Sequence, residues 1–366
     1  MGFGGSPALF FSGKLKAYRF FYFWGMSFPM RLEDLKYNYP EELIATEPSR
    51  PSRVMWVDEA GRPIEISVKD LIQKIPAGDV LVLNNTRVLK RRVFVGDLEI
   101  LFLDEIESGH DHSIYQVMFP SKKVKVGDQI ILPNHSVMTL LEKGLPQKVS
   151  VSPKLTDADF EKIAELPLPP YIQKARGERH NAVADESWYQ TAWAEVAGSF
   201  AAPTASLHFS KKDLETLKNK GVQIEYITLH VGLGTFLPVR VENLDDHEMH
   251  EEIYEVTPRT WNVILDTRKN GHNVWALGTT VTRTLETIAR TEKLTGASKL
   301  LLQEGSEFKI VDRLMTNFHQ PESTLLALVS GFAGLANVKH NYSWAIEKRF
   351  RLFSYGDLSV WCKRSL

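Results

Sequence analysis

Apolar residues along this 366-residue chain follow two rhythms, and the change between them divides the sequence. Before residue 90 and again after about 155, short unbroken apolar runs alternate with stretches of helical spacing. Val54-Met-Trp-Val57 reads as a strand, and Val68, Leu71, Ile72 and Ile75 fall on one face of a short helix. Val80-Leu-Val-Leu83, with no polar position, predicts a strand buried on both faces. Helices are expected near 210–220, 258–270, 281–293, 323–333 and 338–350, and strands near 223–231, 273–277 and 308–316. Ser210 followed by Asp213 is a helix start, and Thr257-Pro258 is a cap with proline at the first helical position, in a helix that Gly271 ends. Strands alternating with helices argue for an α/β layer on a mostly parallel or mixed sheet.

Between 91 and 152 the rhythm changes. Apolar runs at 93–94, 99–103, 113–119, 129–132 and 137–140 are short, with turn signals such as Ser108-Gly109 and Gly127-Asp128 between them. This pattern predicts a small β-barrel. The fold class is therefore α/β, a layered domain of residues 30–90 and 153–366 interrupted by a small β-barrel domain of residues 91–152. Residues 1–29 are rich in glycine and aromatics, with no charged side chain before Lys14. They read as an over-long start or a disordered tail, with Met26 and Met30 as alternative starts.

Composition narrows the class further. Hydrophobic residues at 43% and charged residues at 24% describe a soluble globular protein. The single cysteine, Cys362, excludes an intramolecular disulfide framework and points to a reducing, cytoplasmic location. No apolar run reaches the length of a membrane span, so no membrane partner is expected. A net charge of −1 supplies no global cationic field, and a nucleic-acid partner would need local basic patches.

Two loops concentrate the candidate chemistry. Gly198-Ser-Phe-Ala-Ala-Pro-Thr-Ala-Ser-Leu-His208-Phe is made of small residues and ends near a histidine, and Thr228-Leu-His230-Val-Gly232-Leu-Gly234-Thr-Phe leaves a strand into glycines. Small residues let backbone approach a ligand and leave N–H groups free to bind it, although two ordinary turns would give the same pattern. Asn84-Asn-Thr-Arg-Val88 follows an apolar strand, where α/β proteins place ligand-binding groups and where turns also occur. Lys122, Lys123 and Lys125 are either a solvated edge or a phosphate-facing patch. Leu166-Pro-Leu-Pro-Pro-Tyr171 reads as stiff and extended, and 174–180 as a mobile basic loop. His247, Glu248, His250 and Glu251 come nearest to a metal cluster, but their spacing fits a solvated or sugar-binding segment better.

The runs at 84–88, 166–172, 189–191, 201–204 with 207–209, and 228–236, then Gly278-Thr-Thr280 with Arg283-Thr-Leu-Glu286, Thr316-Asn-Phe-His319 and Phe353-Ser-Tyr-Gly-Asp357, carry a likeness in this order. Together, from about Met30 to Val360, they resemble the S-adenosylmethionine:tRNA ribosyltransferase-isomerases of queuosine biosynthesis. The resemblance implies transfer of the ribosyl part of S-adenosylmethionine to 7-aminomethyl-7-deazaguanine (preQ1) at the tRNA wobble position. Adenine and methionine leave, and the sugar isomerises to give epoxyqueuosine. It also implies an α/β fold interrupted by a small β-barrel. Asn85 stands where an aspartate is usual, Ser206 where glycine is usual and Lys90-Arg91 where Pro-Ala is usual, and Thr282 and Gly331 also differ. An amide at 85 cannot accept a proton as a carboxylate would.

Such a reaction needs a base near neutral pKa and an acid for the departing adenine. His208 and His230 are the catalytic candidates, one as base and one as acid or orienter. Thr279, Thr280, Arg283 and Glu286 are expected to bind S-adenosylmethionine at a helix N-terminus, with Arg87, Tyr171, Thr204, Gly232, Gly234, Asn317 and His319 completing the substrate site. S-adenosylmethionine enters as co-substrate, and neither a separate cofactor nor a metal is expected. The other partner is a tRNA anticodon loop. Lys90, Arg91 and Arg92, then Lys174, Arg176 and Arg179, then Arg349 and Arg351 are its candidate contacts, and a monomer is expected. Two other readings stay open: a different S-adenosylmethionine-dependent tRNA modifier, such as a methyltransferase, and a catalytically inactive tRNA-binding homologue.

Overall fold

The computed structural model describes residues 30–232, 234 and 237–363, so the expectation for 1–29 and part of the 228–236 run lie outside the described residues. The main sheet is built outward from Val80–Asn84, whose residues are all buried. That strand pairs in parallel with Gln223–Leu229 on one side and Val274–Leu277 on the other, and Val274–Leu277 pairs in parallel with Arg313–Asn317. Antiparallel additions complete a nine-stranded mixed sheet. Glu252–Glu255 and Thr295–Ser298 extend it beyond 223–229, and Leu358–Cys362, Arg53–Val57 and Pro63–Ser67 extend it beyond 313–317, with a parallel step between 358–362 and 53–57.

The absence of polar positions in 80–83 has a direct cause. Val80 and Val82 enter one hydrophobic cluster and Leu81 and Leu83 another, because successive strand side chains point to opposite faces. The first cluster takes Ile264, Val281, Leu285, Leu326, Val338 and Tyr342 from the helices Pro258–Lys269, Thr279–Thr291, Thr324–Ala333 and Leu335–Glu347. The second takes Val68, Leu71, Ile72, Leu214 and Leu217 from Val68–Lys74 and Lys211–Asn219. The helix signals act as expected. The Ser210 hydroxyl accepts the Asp213 N–H, the Thr257 hydroxyl accepts that of Thr260, and Gly271 follows the Pro258 helix at positive φ.

The inserted region forms a seven-stranded antiparallel sheet with its own core, including Val93, Phe102, Tyr115, Val117, Met138 and Val149. Its end strands, Ala164–Glu165 and Gln129–Ile131, do not pair with each other among the described residues, so the small β-barrel expected takes the form of a half-barrel. Leu155, Phe160 and Ala164 share that core, which carries it past residue 152. Two further expectations change. The strand near 308–316 is confined to Arg313–Asn317. The stretch read as stiff and then mobile holds the helix Pro170–Arg176, with proline at its first position and Gly177 ending it at φ +66°.

Gly331 has a steric reason. A Cβ there would lie 2.3 Å from the Gln303 carbonyl oxygen, so helix 324–333 presses directly on backbone. Gly331→Ala is expected to destabilise the fold by about 1–3 kcal/mol, as other over-packing changes do, read as a lower midpoint in urea. An unchanged midpoint would show that the 299–306 segment can retreat.

Candidate active site

The four neighbouring parallel strands all end at the same edge of the sheet. In spatial order, 223–229 leads into His230, 80–84 ends on Asn84, 274–277 turns through Gly278 into Thr279 and Thr280, and 313–317 ends on Asn317. This is the edge where α/β sheets bind ligands. The fully buried Asn84 ties three of these ends together. Its Oδ1 accepts the N–H groups of Leu229 and Thr86, both at 3.1 Å, and its Nδ2 donates to the Leu229 carbonyl at 3.0 Å and to Thr280 Oγ1 at 3.3 Å.

His230 is held from two sides. Its Nδ1 lies 2.7 Å from Thr86 Oγ1. Its ring packs on Gly198, at φ +151°, where a Cβ would fall 2.7–2.8 Å from the ring atoms, so only glycine fits. Burial lowers the His230 pKa below its ordinary value, which keeps the imidazole neutral at pH 7. Its Nε2 has no hydrogen-bond partner among the described residues. His230 therefore has an anchored side and an open side.

His208 is different, because its tautomer can be deduced. The Asn317 amide is oriented by the Phe353 carbonyl, which can only accept and lies 3.0 Å from Asn317 Nδ2. That same Nδ2 donates to His208 Nε2 at 3.1 Å, so Nε2 carries no proton. Nδ1 then bears the hydrogen and donates to Ser52 Oγ at 2.7 Å, and Ser52 passes its own hydrogen to the Ser49 carbonyl. Thr204 Oγ1 donates to the remaining Asn317 oxygen at 3.0 Å. Burial, with the cations of Arg50 and Arg351 nearby, pushes the His208 pKa down to about 3. Both ring nitrogens of His208 are occupied, whereas His230 keeps one open among the described residues. The sequence reading missed Asn84, Thr86, Ser52 and Arg50 as individual residues, although the polar run 84–88 marked the place.

Helix 279–291 brings two of its expected ligands inward. Arg283 is buried and pairs with Glu252, whose other oxygen accepts the Gly232 N–H at 3.4 Å, and burial lowers the Arg283 pKa to about 10. Glu286 is fully buried and already satisfied. It accepts the backbone N–H groups of Lys309, Ile310 and Val311 at 2.7–3.1 Å and pairs with Arg290 at 2.9 Å. That carboxylate fastens the 309–311 segment, and the geometry leaves it no free oxygen for S-adenosylmethionine.

The other candidates fall around this edge. Tyr171 OH lies 2.5 Å from Ser354 Oγ, and burial raises the phenol to about 12. His319 is buried against Thr316 Oγ1 at 2.9 Å, and burial pushes its pKa down to about 3. Gly234 packs on His250, and Arg87 is exposed with no ion pair among the described residues. Asn85 Oδ1 accepts the Thr228 hydroxyl at 2.7 Å, a bond a carboxylate could make equally. Ser206 Oγ is buried without a partner among the described residues.

Most of the basic clusters serve the fold. Lys90 bridges Glu186 and Glu161, Arg91 pairs with Asp157 over the Phe160 ring, and Arg92, 2% exposed, pairs with Glu165. Arg176 grips Asp185 and the Thr46 carbonyl, and Arg351 holds the Glu47 carbonyl. Lys174, Arg179 and Arg349 stay at least half exposed, in loose pairs with Glu41, Glu99 and Glu42. Among the described residues no group of three or more His, Cys, Asp or Glu side chains could hold a metal ion, and no helix is long and apolar enough to cross a membrane.

Neutral imidazoles, amides and hydroxyls gathered at the carboxyl ends of parallel strands define the active-site edge of an α/β enzyme. Residues 32–360 match the family described as queuosine biosynthesis protein, and the chain belongs to that family. A protein of Sulfurihydrogenibium sp. (strain YO3AOP1) named S-adenosylmethionine:tRNA ribosyltransferase-isomerase is 40% identical over 340 residues, which is 90% of this chain and 98% of that one. One of the same name from Staphylococcus aureus (strain JH9) is 39% identical over 346 residues, with the same coverage of both chains. The crystal structure of S-adenosylmethionine tRNA ribosyltransferase from Thermotoga maritima is 31% identical, aligns with a TM-score of 0.51, and is matched over 89% of this chain and 99% of that one.

The two deeply perturbed histidines predict an acid sensitivity. His208 and His319 titrate near 3 when folded and near 6.5 when unfolded, so between those values the unfolded chain binds more protons. Their contribution is complete above about pH 6.5 and is lost as pH falls toward 3. Urea unfolding should show stability falling from pH 7 to pH 5, with a shallower slope in His208→Gln and His319→Gln. An identical slope in both variants would mean that neither imidazole is held neutral.

Proposed function

We propose that this chain transfers the ribosyl part of S-adenosylmethionine to preQ1 at the wobble position of tRNA and isomerises it, giving epoxyqueuosine with release of adenine and methionine. The observation that carries this reading is His230. It is a neutral imidazole, anchored at Nδ1 and open at Nε2, at the strand edge where the family's motifs converge. The sulfonium acidifies the adjacent sugar carbon, and Nε2 takes that proton when Nδ1–H donates to Thr86. His208, locked in one tautomer, serves as orienter of the Thr204–Asn317 wall. Thr279, Thr280, Arg283, Gly232 and Gly234 form the cosubstrate side, with Arg87, Tyr171 and His319 at the margins, and Glu286 shapes the site from beneath.

In this reading residues 30–90 and those after 165 act as a layered catalytic domain, and the half-barrel is the small inserted domain. The enzyme works in the cytoplasm as a monomer, on the tRNA anticodon loop, with S-adenosylmethionine as its only small co-substrate. Of the candidate RNA-binding cations, Lys174, Arg179 and Arg349 remain outside tight ion pairs and take the RNA contact.

The deciding experiment incubates the full chain with preQ1-containing tRNA and S-adenosylmethionine and analyses nucleosides and small products by mass spectrometry. Epoxyqueuosine, adenine and methionine are expected. S-adenosylhomocysteine would indicate a methyltransferase, and no product an inactive binder. His230→Gln should slow turnover by about 10²–10⁴-fold with tRNA affinity kept, and near-normal turnover would remove His230 from the chemistry.

The ion pairs predict which cations the RNA uses. Replacing Lys174 and Arg179 by Ala should flatten the salt dependence of tRNA binding by about two phosphate contacts. Arg92→Ala should instead cost about 1–3 kcal/mol of stability, because it takes a charged partner from the partly buried Glu165. An unchanged salt slope in the first variant would move the RNA to another face.

A further inference from the structure

Around the 349–357 segment Arg53 pairs with Glu65, Arg176 with Asp185 and, loosely, Arg349 with Glu42. Arg50 and Arg351 hold backbone carbonyls instead. Arg50 Nη2 donates to the Leu207 carbonyl at 3.1 Å, and Arg351 Nη2 donates to that of Glu47. A carbonyl fixes a guanidinium without cancelling its charge, and each fork keeps further N–H donors unspent. The buried Asp357 carboxylate stands near Arg351 but spends its two oxygens on backbone. It accepts the N–H groups of Arg53 and Arg351, at 3.1 and 2.8 Å.

The segments that carry these two arginines lie side by side. The Leu352 N–H donates to the Leu43 carbonyl at 2.8 Å, and the Ala45 N–H to that of Leu352 at 3.2 Å. Both cations stand close enough to His208 to help lower its pKa. They also lie at the active-site edge of the sheet. Val54 pairs with Leu358 and Leu358 with Asn317, so the chain just before Val54 enters at the end where Asn317 sits. His208 joins the two, bonding Ser52 on one side and Asn317 on the other.

Spacing decides what such a pair can hold. In the order of the sheet, strand 313–317 lies three places from 223–229, and strand 53–57 lies five. At about 4.8 Å per strand, the arginines stand about 15–24 Å along the edge from His230. The α-carboxylate of S-adenosylmethionine is only a few bonds from its sulfonium, so a co-substrate reacting at His230 does not bring it there. An RNA strand laid along the 198–208 loop does, because that loop runs from beneath His230 to His208.

We propose that Arg50 and Arg351 together clamp one backbone phosphate of the anticodon loop, a few nucleotides from the base that meets His230. Two guanidinium forks offer N–H donors to both free oxygens of a phosphodiester, and charge-assisted bonds of this kind are the strong ones. Phosphate contacts carry no base information, but they fix register. The clamp therefore sets how far along the edge the loop lies, and so which nucleotide reaches His230. The inference rests on the reading of tRNA as substrate and adds where its backbone is held beside the chemistry, beyond the contacts of Lys174, Arg179 and Arg349.

The test uses the full chain and preQ1-containing anticodon stem-loop RNAs in which each loop phosphate in turn is an uncharged methylphosphonate. On the wild type, one linkage should weaken binding by about 10-fold. Arg50→Gln combined with Arg351→Gln should weaken the unmodified RNA similarly and lower its salt slope by about one phosphate contact. The same methylphosphonate should then cost nothing further, and the KM for S-adenosylmethionine at saturating RNA should not move. A methylphosphonate penalty kept in full by the double variant would overturn the clamp. So would a raised KM for S-adenosylmethionine with RNA affinity unchanged, which would give the arginines to the co-substrate carboxylate. Should Arg351→Gln fail to fold, Arg50→Glu, at an exposed position, carries the test alone. It should weaken RNA binding more than Arg50→Gln does, and equal affinity in the two would overturn the clamp. Epoxyqueuosine from the wild type with no responding linkage sinks the clamp alone, while a responding linkage without that product supports the clamp and sinks the functional reading.

Discussion

A buried amide holds this site in shape. Asn84 ends the central strand with no contact to water, so its polar atoms must find partners inside the protein. They find them on Leu229, Thr86 and Thr280, which belong to the neighbouring strand, the following strand and the next helix. One side chain thereby fixes the separation between His230, Thr86 and the start of helix 279–291. The cost of leaving any of these groups unsatisfied makes the arrangement rigid, so the open imidazole nitrogen of His230 is held at a set place on the strand edge.

The two histidines illustrate how burial divides one residue type between two tasks. Desolvation lowers both, so both are neutral at pH 7. What separates them is the number of neighbours able to bond. Around His208 a chain runs from the Phe353 carbonyl through Asn317, the ring and Ser52 to the Ser49 carbonyl, and every proton in it has one available position. Around His230, among the described residues, only the Thr86 side is occupied, and Gly198 supplies a flat floor beneath the ring. The same glycine-and-alanine loop that positions His208 thus also shelters His230.

Charge is handled with equal economy. The chain is nearly neutral overall, and many of its arginines are placed where they join elements rather than where they meet solvent. Arg92 ties the half-barrel to the 165–181 segment, Arg176 ties the 170–176 helix to Asp185 and Thr46, and Arg290 steadies Glu286. A guanidinium suits this use because its planar fork can serve a carboxylate and a carbonyl together.

The sequence by itself determined the alternation of strands and helices, because apolar spacing and caps are local signals. Val80–Leu83, the Ser210 and Thr257 caps and the short strands after 91 were legible for that reason. It also marked the neighbourhood of the site, since small residues and histidines beside loops announce close backbone approach. Only the tertiary structure decided which partners those side chains meet. The roles of His208 and His230 separate through Asn317, Ser52 and Thr86, which lie from about 109 to 156 residues away in the chain. Glu286 changed from a candidate ligand to a clamp because a segment more than twenty residues later brings three N–H groups to it. The helix at 170–176 was hidden by prolines that stiffen the chain before it and then start it. The basic runs were legible as charge, but whether each cation faces water or a carboxylate depends on contacts that no local pattern encodes.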